Sequence, residues 1–302
     1  MSSAIKHLRI GTRGSELALA QTKLVVNELA KARPEVRVEV EIITTSGDQG
    51  AKPDAVAGLK GLFTKEIEDA LLAGEIDAAI HSLKDLPGQM PPGLKLASVL
   101  ERAPSGDLLI AKTDRVKTVG TTSVRRARLL QWQRPELQVE SVRGNVPTRL
   151  KKLHDSETLD AIVLAEAGVT RLGLNLELMG FRVEKLDMHP AIGQGIIAIQ
   201  VRSDDAEVCH WMESVNHAST FIRARAEREV LRLLNGDCRL PVGAKSWFDE
   251  ETLHLEVVLF GEDDKAPAVA AASGPASDPE AVARDVFQKL SSNLRTSSSV
   301  QP

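Results

Sequence analysis

Leu8-Arg9-Ile10-Gly11-Thr12-Arg13-Gly14-Ser15 opens the chain's first regular stretch, and the periodicity that runs on from it decides the fold. Residues 8–12 read as a short strand. From Ser15 onward the apolar positions Leu17, Ala20, Leu24, Val25 and Leu29 recur at helical spacing until Pro34 stops the helix. Val36, Val38, Val40 and Ile42 then alternate as a half-buried strand. Thr64 to Ala73 has the pattern of a helix closed by Gly74, and Asp77-Ala78-Ala79-Ile80 reads as the next buried strand. Alternation of strand and helix predicts a largely parallel sheet in an α/β domain.

Working outward, the same rhythm resumes after Gly93. Strands near 108–110, 119–120, 137–141 and 161–164 alternate with helices near 123–134, 146–153 and 166–172, which predicts a second α/β domain. Ser219 to Leu234 is strongly helical, Leu253–Leu259 alternates as a strand, and Asp278 to Leu294 is a helix preceded by the Ala/Gly/Pro-rich stretch 271–275, read as a turn. These elements predict a small α+β third domain, and the Ser-rich tail from Arg295 is expected to fray. A chain of 302 residues is too long for one ordinary core and suits this division.

The formal net charge is −4, so the protein as a whole is not an electrostatic partner for nucleic acid or an anionic membrane. Any positive charge that matters must be focused. Cys209 and Cys238 form neither a disulfide framework nor a metal-ligand spacing; no metal is expected, and a reducing, cytoplasmic setting is. The segment Met1–Leu8 has no apolar core of a signal peptide, and no run reaches the ~18 apolar residues of a membrane span. A plastid location is the alternative, should a transit peptide have been removed.

Positive charge is indeed focused, at the ends of strands. Arg13-Gly14-Ser15 lies between a strand and a helix N-terminus, where free backbone N–H groups and the helix dipole favour an anion; the plainer reading is a Ser15 N-cap beside a solvated Arg13. Gly120-Thr121-Thr122-Ser123-Val124-Arg125-Arg126 repeats that geometry. An exposed arginine pair at a helix start opposes the dipole, so a waiting anion explains it better than solvent does. Arg143-Gly144-Asn145, with Arg149 on the next helix, makes a third such cluster, and open α/β sheets bind ligands beyond the carboxyl ends of their strands.

His81-Ser82-Leu83-Lys84-Asp85-Leu86-Pro87 comes after another strand and places one carboxylate among anion-binding groups. Asp85 is the natural acid or base there, although Lys84 and Asp85 could equally be a surface pair. Gly193-Gln194-Gly195 allows a close backbone approach but is no dinucleotide fingerprint. Cys238 lies in the turn-rich stretch 235–243, where flanking arginines favour the thiolate. Cys209, in a helical stretch beside Trp211, reads as a buried small hydrophobe.

In order and spacing, the segments 9–15, 81–87, 120–126, 143–149, 193–195 and Asp237-Cys238 resemble the porphobilinogen deaminase (hydroxymethylbilane synthase) family over nearly the whole chain. The resemblance implies two periplasmic-binding-protein-like α/β domains, 1–98 plus 196–215 and 99–195, with a cleft between them, and a small α+β domain, 216–302. It also implies a dipyrromethane cofactor, built from substrate and attached by a thioether to Cys238. The implied enzyme adds four porphobilinogen units head to tail, releasing ammonia each time, and then hydrolyses off the linear tetrapyrrole. Porphobilinogen and the growing oligopyrrole would be its only partners, and a monomer is expected.

Position by position, the resemblance implies catalytic roles for Asp85 and Lys84. It implies contacts to cofactor for Arg13, Ser15, Lys84, Asp85, Thr121, Ser123, Arg125, Arg126, Arg143 and Gly144. Substrate contacts are implied for Arg13, Arg149, Arg171 and Gln194, with Lys60 and Phe63 on a covering loop. The chemistry agrees: every pyrrole ring carries an acetate and a propionate, whose mutual repulsion arginines can offset bidentately.

Three departures from the family pattern stand out. Asp237 puts an extra negative charge beside the thiol and is expected to raise its pKa; Leu59 occupies a usual glycine position; residues 103–107 replace a more charged run. Two other classes compete. An anion-binding protein of the periplasmic type has no need for Cys238 or Asp85, and a cysteine hydrolase would need His81 or His217 as base.

Overall fold

A computed structural model describes residues 6–48, 63–235, 240–261 and 266–298, the last five by backbone alone. The chain divides into two compact units, Met1–Ala103 with Ile196–Phe221, and Pro104–Gly195 with Ile222–Pro302.

In the first unit, β1 (Lys6–Thr12), α1 (Glu16–Ala32) and β2 (Val36–Ile42) start the sheet, with β1 and β2 parallel from Lys6↔Val36 to Thr12↔Ile42. Ser15 caps α1 by accepting from the Ala18 N–H, and Val25 and Leu29, four residues apart, bury one helix face. After α2 (Lys65–Leu72) come β3 (Ala78–Ser82), parallel to β1, and β4 (Leu94–Val99).

In the second unit, β5 (Asp107–Ala111), β6 (Thr118–Gly120), α3 (Val124–Gln133), β7 (Gln138–Glu140), α4 (Val146–Asp155), β8 (Ala161–Ala165), α5 (Glu166–Arg171) and β9 (Arg182–Leu186) come in turn. They build a sheet of order β7-β6-β8-β5-β9 with apolar clusters on both faces, one around Leu129, Leu130 and Val163 and one around Leu150, Leu153 and Ile162.

The chain then returns to the first unit. There β10 (Ile197–Arg202) lies between β3 and β4, antiparallel to both, completing the order β2-β1-β3-β10-β4. The expected largely parallel sheets are therefore mixed, since β5 is likewise antiparallel to β8 and β9. Continuous apolar runs such as Ile197-Ala198-Ile199 mark burial on both faces without stating direction.

After α6 (Ala206–Glu213) and α7 (Ala218–Leu233), strands β11 (Val242–Asp249), β12 (Thr252–Leu259) and β13 (Ala268–Pro275) form an antiparallel meander, and α8 (Pro279–Ser298) packs on β12 and β13. This is the small α+β domain. The stretch 271–275, read as a turn, is the second half of β13: Ala270 and Ala272 point into the core under Val282 and Val286 while Ala271 and Ser273 point outward. Small side chains hid the alternation.

Candidate functional site

In the first unit, β1 and β3 are parallel neighbours, so Arg13 and Ser15 after β1, and Lys84 and Asp85 after β3, emerge at the same carboxyl edge of the sheet. The Gln21 amide on α1 donates to the Ser82 hydroxyl at 2.8 Å, tying the helix to the end of β3. Lys84 and Asp85 form a single 3-10 turn closed by the bond from the Leu86 N–H to the Leu83 carbonyl, over the buried Leu83. Both side chains are half-buried. The Asp85 carboxylate has no hydrogen-bond or ion-pair partner among the described residues, leaving it able to accept from a ligand.

Arg13 is not the solvated charge of the plainer reading. Its guanidinium pairs with Asp48, at 2.5 Å from Nη2 to Oδ1, and lies over the Phe63 ring at 4.3 Å. Burial pushes the Asp48 carboxyl up, but Arg13 and the Thr45 hydroxyl outweigh it and hold the pKa below the ordinary value. Phe63 thus sits against Arg13, while Lys60 and Leu59 lie outside the described residues. His81 is buried, and Nε2 lies 3.1 Å from the Gln200 Oε1. Burial, aided by Arg13 and opposed by Gln200, lowers its pKa to about 4, so it is neutral near pH 7 and carries no standing positive charge.

In the second unit, β6, β7 and β8 run parallel, and their carboxyl ends carry the remaining candidates. Ser123 caps α3 by accepting from the Arg126 N–H, and the Thr121 hydroxyl accepts from the Ser123 N–H. The expectation of an exposed arginine pair is corrected: Arg125 and Arg126 are 3% and 5% exposed. The waiting anion is internal. Asp107, at the head of β5 and fully buried, accepts from Arg126 through Nε and Nη2 at 3.1 and 2.8 Å, and pairs with Arg125 Nη2 at 2.7 Å.

The spare donors on these arginines reach backbone: Arg125 donates to the His189 carbonyl at 2.5 Å and Arg126 to the Val163 carbonyl at 2.9 Å. Burial pushes the Asp107 carboxyl up, yet the two guanidiniums outweigh it and hold the group well below the usual carboxylate range. Burial also lowers the pKa of Arg125, opposed by the neighbouring Asp107 carboxylate.

Gln194, buried in the turn before β10, directs its amide nitrogen at Asp107 Oδ1 (2.9 Å) and at the Ser105 and Gly106 carbonyls (2.7 and 3.2 Å). Arg171, on α5, donates to the Gly195 carbonyl at 2.6 Å, and burial lowers its pKa to about 10. Arg143 and Gly144 are exposed, and the Arg143 guanidinium has no partner among the described residues. Gly144 turns at φ +125°, and its carbonyl accepts from Arg149 Nε at 2.7 Å. Arg125, Arg126, Gln194 and Arg171 thus form one cluster, and Arg143, Gly144 and Arg149 a second.

Asp107 and Asp48 escaped the sequence reading. The signal for Asp107 was present, since it is the single charge heading the all-apolar Leu108-Leu109-Ile110-Ala111. Nothing local marked Asp48. Cys238 and Asp237 lie outside the described residues. Cys209 is buried on α6, its thiol directed at the Arg202 carbonyl, as a packed hydrophobe would be. Among the described residues no cluster of three metal-ligating side chains occurs, and no helix is long and apolar enough to cross a membrane.

Residues 8–210 match the family described as porphobilinogen deaminase, dipyromethane cofactor binding domain, and residues 221–292 match porphobilinogen deaminase, C-terminal domain. Relatives named porphobilinogen deaminase are similar over nearly their whole length. The one from Desulforudis audaxviator is 44% identical over 289 residues, covering 93% of each chain. That from Thermus thermophilus is 43% identical over 295 residues, covering 93% of this chain and 95% of its own. The Synechococcus sp. protein is 40% identical over 298 residues, covering 95% and 94%. Among solved structures, an ancestral arginine-binding protein bound to arginine overlaps 74% of this chain and 96% of its own at 16% identity, with a TM-score of 0.39. With both parts of the chain matched, and relatives this similar end to end, the chain belongs to the porphobilinogen deaminase family.

Proposed function

We propose that this chain is a transferase that joins four porphobilinogen molecules head to tail onto a covalently bound dipyrromethane primer, releasing ammonia each time, and then hydrolyses the product off with water as hydroxymethylbilane for tetrapyrrole synthesis. The observation that carries the site assignment is an imbalance: two buried guanidiniums share one carboxylate, while Arg143 has no partner among the described residues. Oligopyrroles bring an acetate and a propionate on every ring, which is the charge this surplus suits.

The same residues fit the family's dipyrromethane. Nε of Arg125 is buried without a hydrogen-bond partner, and the exposed Gly144 turn brings backbone close to Arg149. Arg125, Arg126, Arg143, Thr121, Ser123 and Gly144 would hold its carboxylates, with Arg13, Ser15, Lys84 and Asp85 from the first unit, and Cys238 would anchor it. When bound, the group supplies the pyrrole carbon at which the chain is extended.

The protein's own part is positioning and proton handling. Loss of ammonia from porphobilinogen leaves an electron-poor methylene conjugated to the ring nitrogen. Asp85, otherwise unpartnered among the described residues, would accept the pyrrole N–H, stabilise that positive charge and carry the proton. Lys84 beside it would hold a substrate carboxylate, as would Arg13, Arg149 and Arg171, with Lys60 and Phe63 at the covering loop. Gln194, for which the resemblance implies a substrate contact, would act there alongside Asp107, to which it donates. Three domains, 1–98 with 196–215, 99–195 and 216–302, and a cytoplasmic monomer complete the reading.

Intact mass of the purified protein tests it. An added mass of two linked pyrroles is expected, absent in Cys238→Ala, together with ammonia release from porphobilinogen. A parent protein with neither the added mass nor ammonia release would overturn the assignment.

A further inference from the structure

The turn Gly193-Gln194-Gly195 meets every guanidinium of the second unit's buried cluster, directly or through one residue. Gly193 and Gly195 turn at φ +72° and +86°, a backbone region that disfavours side chains. The Gly193 N–H donates to the buried Glu227 at 2.8 Å, and the Gly195 carbonyl accepts from Arg171 at 2.6 Å. Between them Gln194 donates to Asp107, which binds Arg125 and Arg126.

Asp107 is the only carboxylate paired with either arginine among the described residues. Two guanidinium charges therefore meet one carboxylate charge where water scarcely reaches. Gln194 contributes a donor and no charge. Removing Asp107 would leave two like charges facing each other in a desolvated place; adding a second carboxylate would cancel the surplus.

We propose that Asp107 and Gln194 are positioning residues that orient Arg125 and Arg126 and leave the pair one positive charge in excess, with which a pyrrole carboxylate is held. This rests on the proposed function, in which the pair receives such a carboxylate. Position 194 must be neutral and donating, because Asp107 and the Ser105 and Gly106 carbonyls all face it as acceptors. Among the described residues, charged groups that meet the turn or its neighbours include Glu227 on α7, which Arg223 reaches through the Ser246 hydroxyl, Arg171 on α5, and the Glu166–Lys185 pair beside Gly106.

The test compares Asp107→Asn and Gln194→Glu with Arg126→Ala, after circular dichroism has confirmed folding. Two quantities are read: the fraction of chains carrying the two-pyrrole mass, and KM and kcat for porphobilinogen relative to the parent at each pH. Asp107→Asn is expected to lower the loaded fraction at least about threefold, as the unopposed pair loses its orientation. In Gln194→Glu the introduced carboxyl would face Asp107 and the Ser105 and Gly106 carbonyls, three acceptors that together with burial favour its protonated form over the pull of the two guanidiniums; KM should be about tenfold high near pH 8 and recover toward the parent near pH 6, with kcat within about threefold. Only the protonated form donates to Asp107 and removes the extra charge.

A defect in Gln194→Glu that ignores pH, or parental behaviour in both variants, overturns the proposal. Parental loading in Arg126→Ala overturns instead the reading that the pair holds carboxylates, so the two failures are distinct. Should Asp107→Asn not fold, Gln194→Glu decides the matter, because one protein is compared with itself at two pH values.

Discussion

Asp85 closes a single helical turn with its carboxylate half-buried and without a partner among the described residues, so its chemistry is available to whatever binds beside it. Asp85→Ala should leave a folded protein whose ammonia release falls about 100-fold or more, the usual scale of a positioned acid or base. Near-parental release would remove Asp85 from its role. The arginines teach a different lesson. A helix beginning Val124-Arg125-Arg126 demands an anion, and that demand was legible from the dipole argument alone. Its answer, Asp107, lies 19 residues away on another strand, and only tertiary pairing identifies it. Arg13 is similar: the strand-to-helix junction marked it as an anion site, but the pairing with Asp48 spans 35 residues and leaves no local trace.

At the scale of elements, α1 was readable from apolar positions at helical spacing, with Val25 and Leu29 buried, and β8 from the continuous apolar run Ala161 to Leu164. Strand direction was not, for a strand buried on both faces shows the same run of residues either way, as β10 does. The alanine-rich β13 failed for want of bulk. The meander also makes one close contact that decides a substitution. Gly243 on β11 lies so near His189 that an added Cβ would stand 2.7 Å from the His189 carbonyl oxygen, a backbone atom that cannot swing aside. Gly243→Ala should destabilise the protein by about 1–3 kcal/mol, the scale of overpacking, seen as a lower urea midpoint. An unchanged midpoint would mean that β11 can shift freely.

For the molecule as a whole, the buried polar groups set how stability varies with pH. The His81 pKa is depressed from 6.5 to about 4 in the folded state, so folding favours the neutral ring. Its contribution is full above the unfolded value and is lost as pH falls toward 4, where protons bind the unfolded chain first; the loss is on the order of 3 kcal/mol. Asp107 and Asp48, held below their ordinary values, act later, their contributions fading as pH falls past about 4. The urea midpoint should therefore decline between about pH 7 and about pH 4.5, and His81→Gln should flatten that decline. A parental slope in the variant would assign the loss to other groups. The placement of β10 bears on biosynthesis. Because Ile197–Arg202 fills the gap between β3 and β4, a growing polypeptide holds those two strands apart, with unsatisfied edges, until roughly a hundred further residues have left the ribosome. The intervening sheet, built wholly from Asp107–Leu186, has all its strands beforehand. The portion encoded first is thus completed after the portion that interrupts it, and a nascent chain stalled before Ile197 would display an open, aggregation-prone slot.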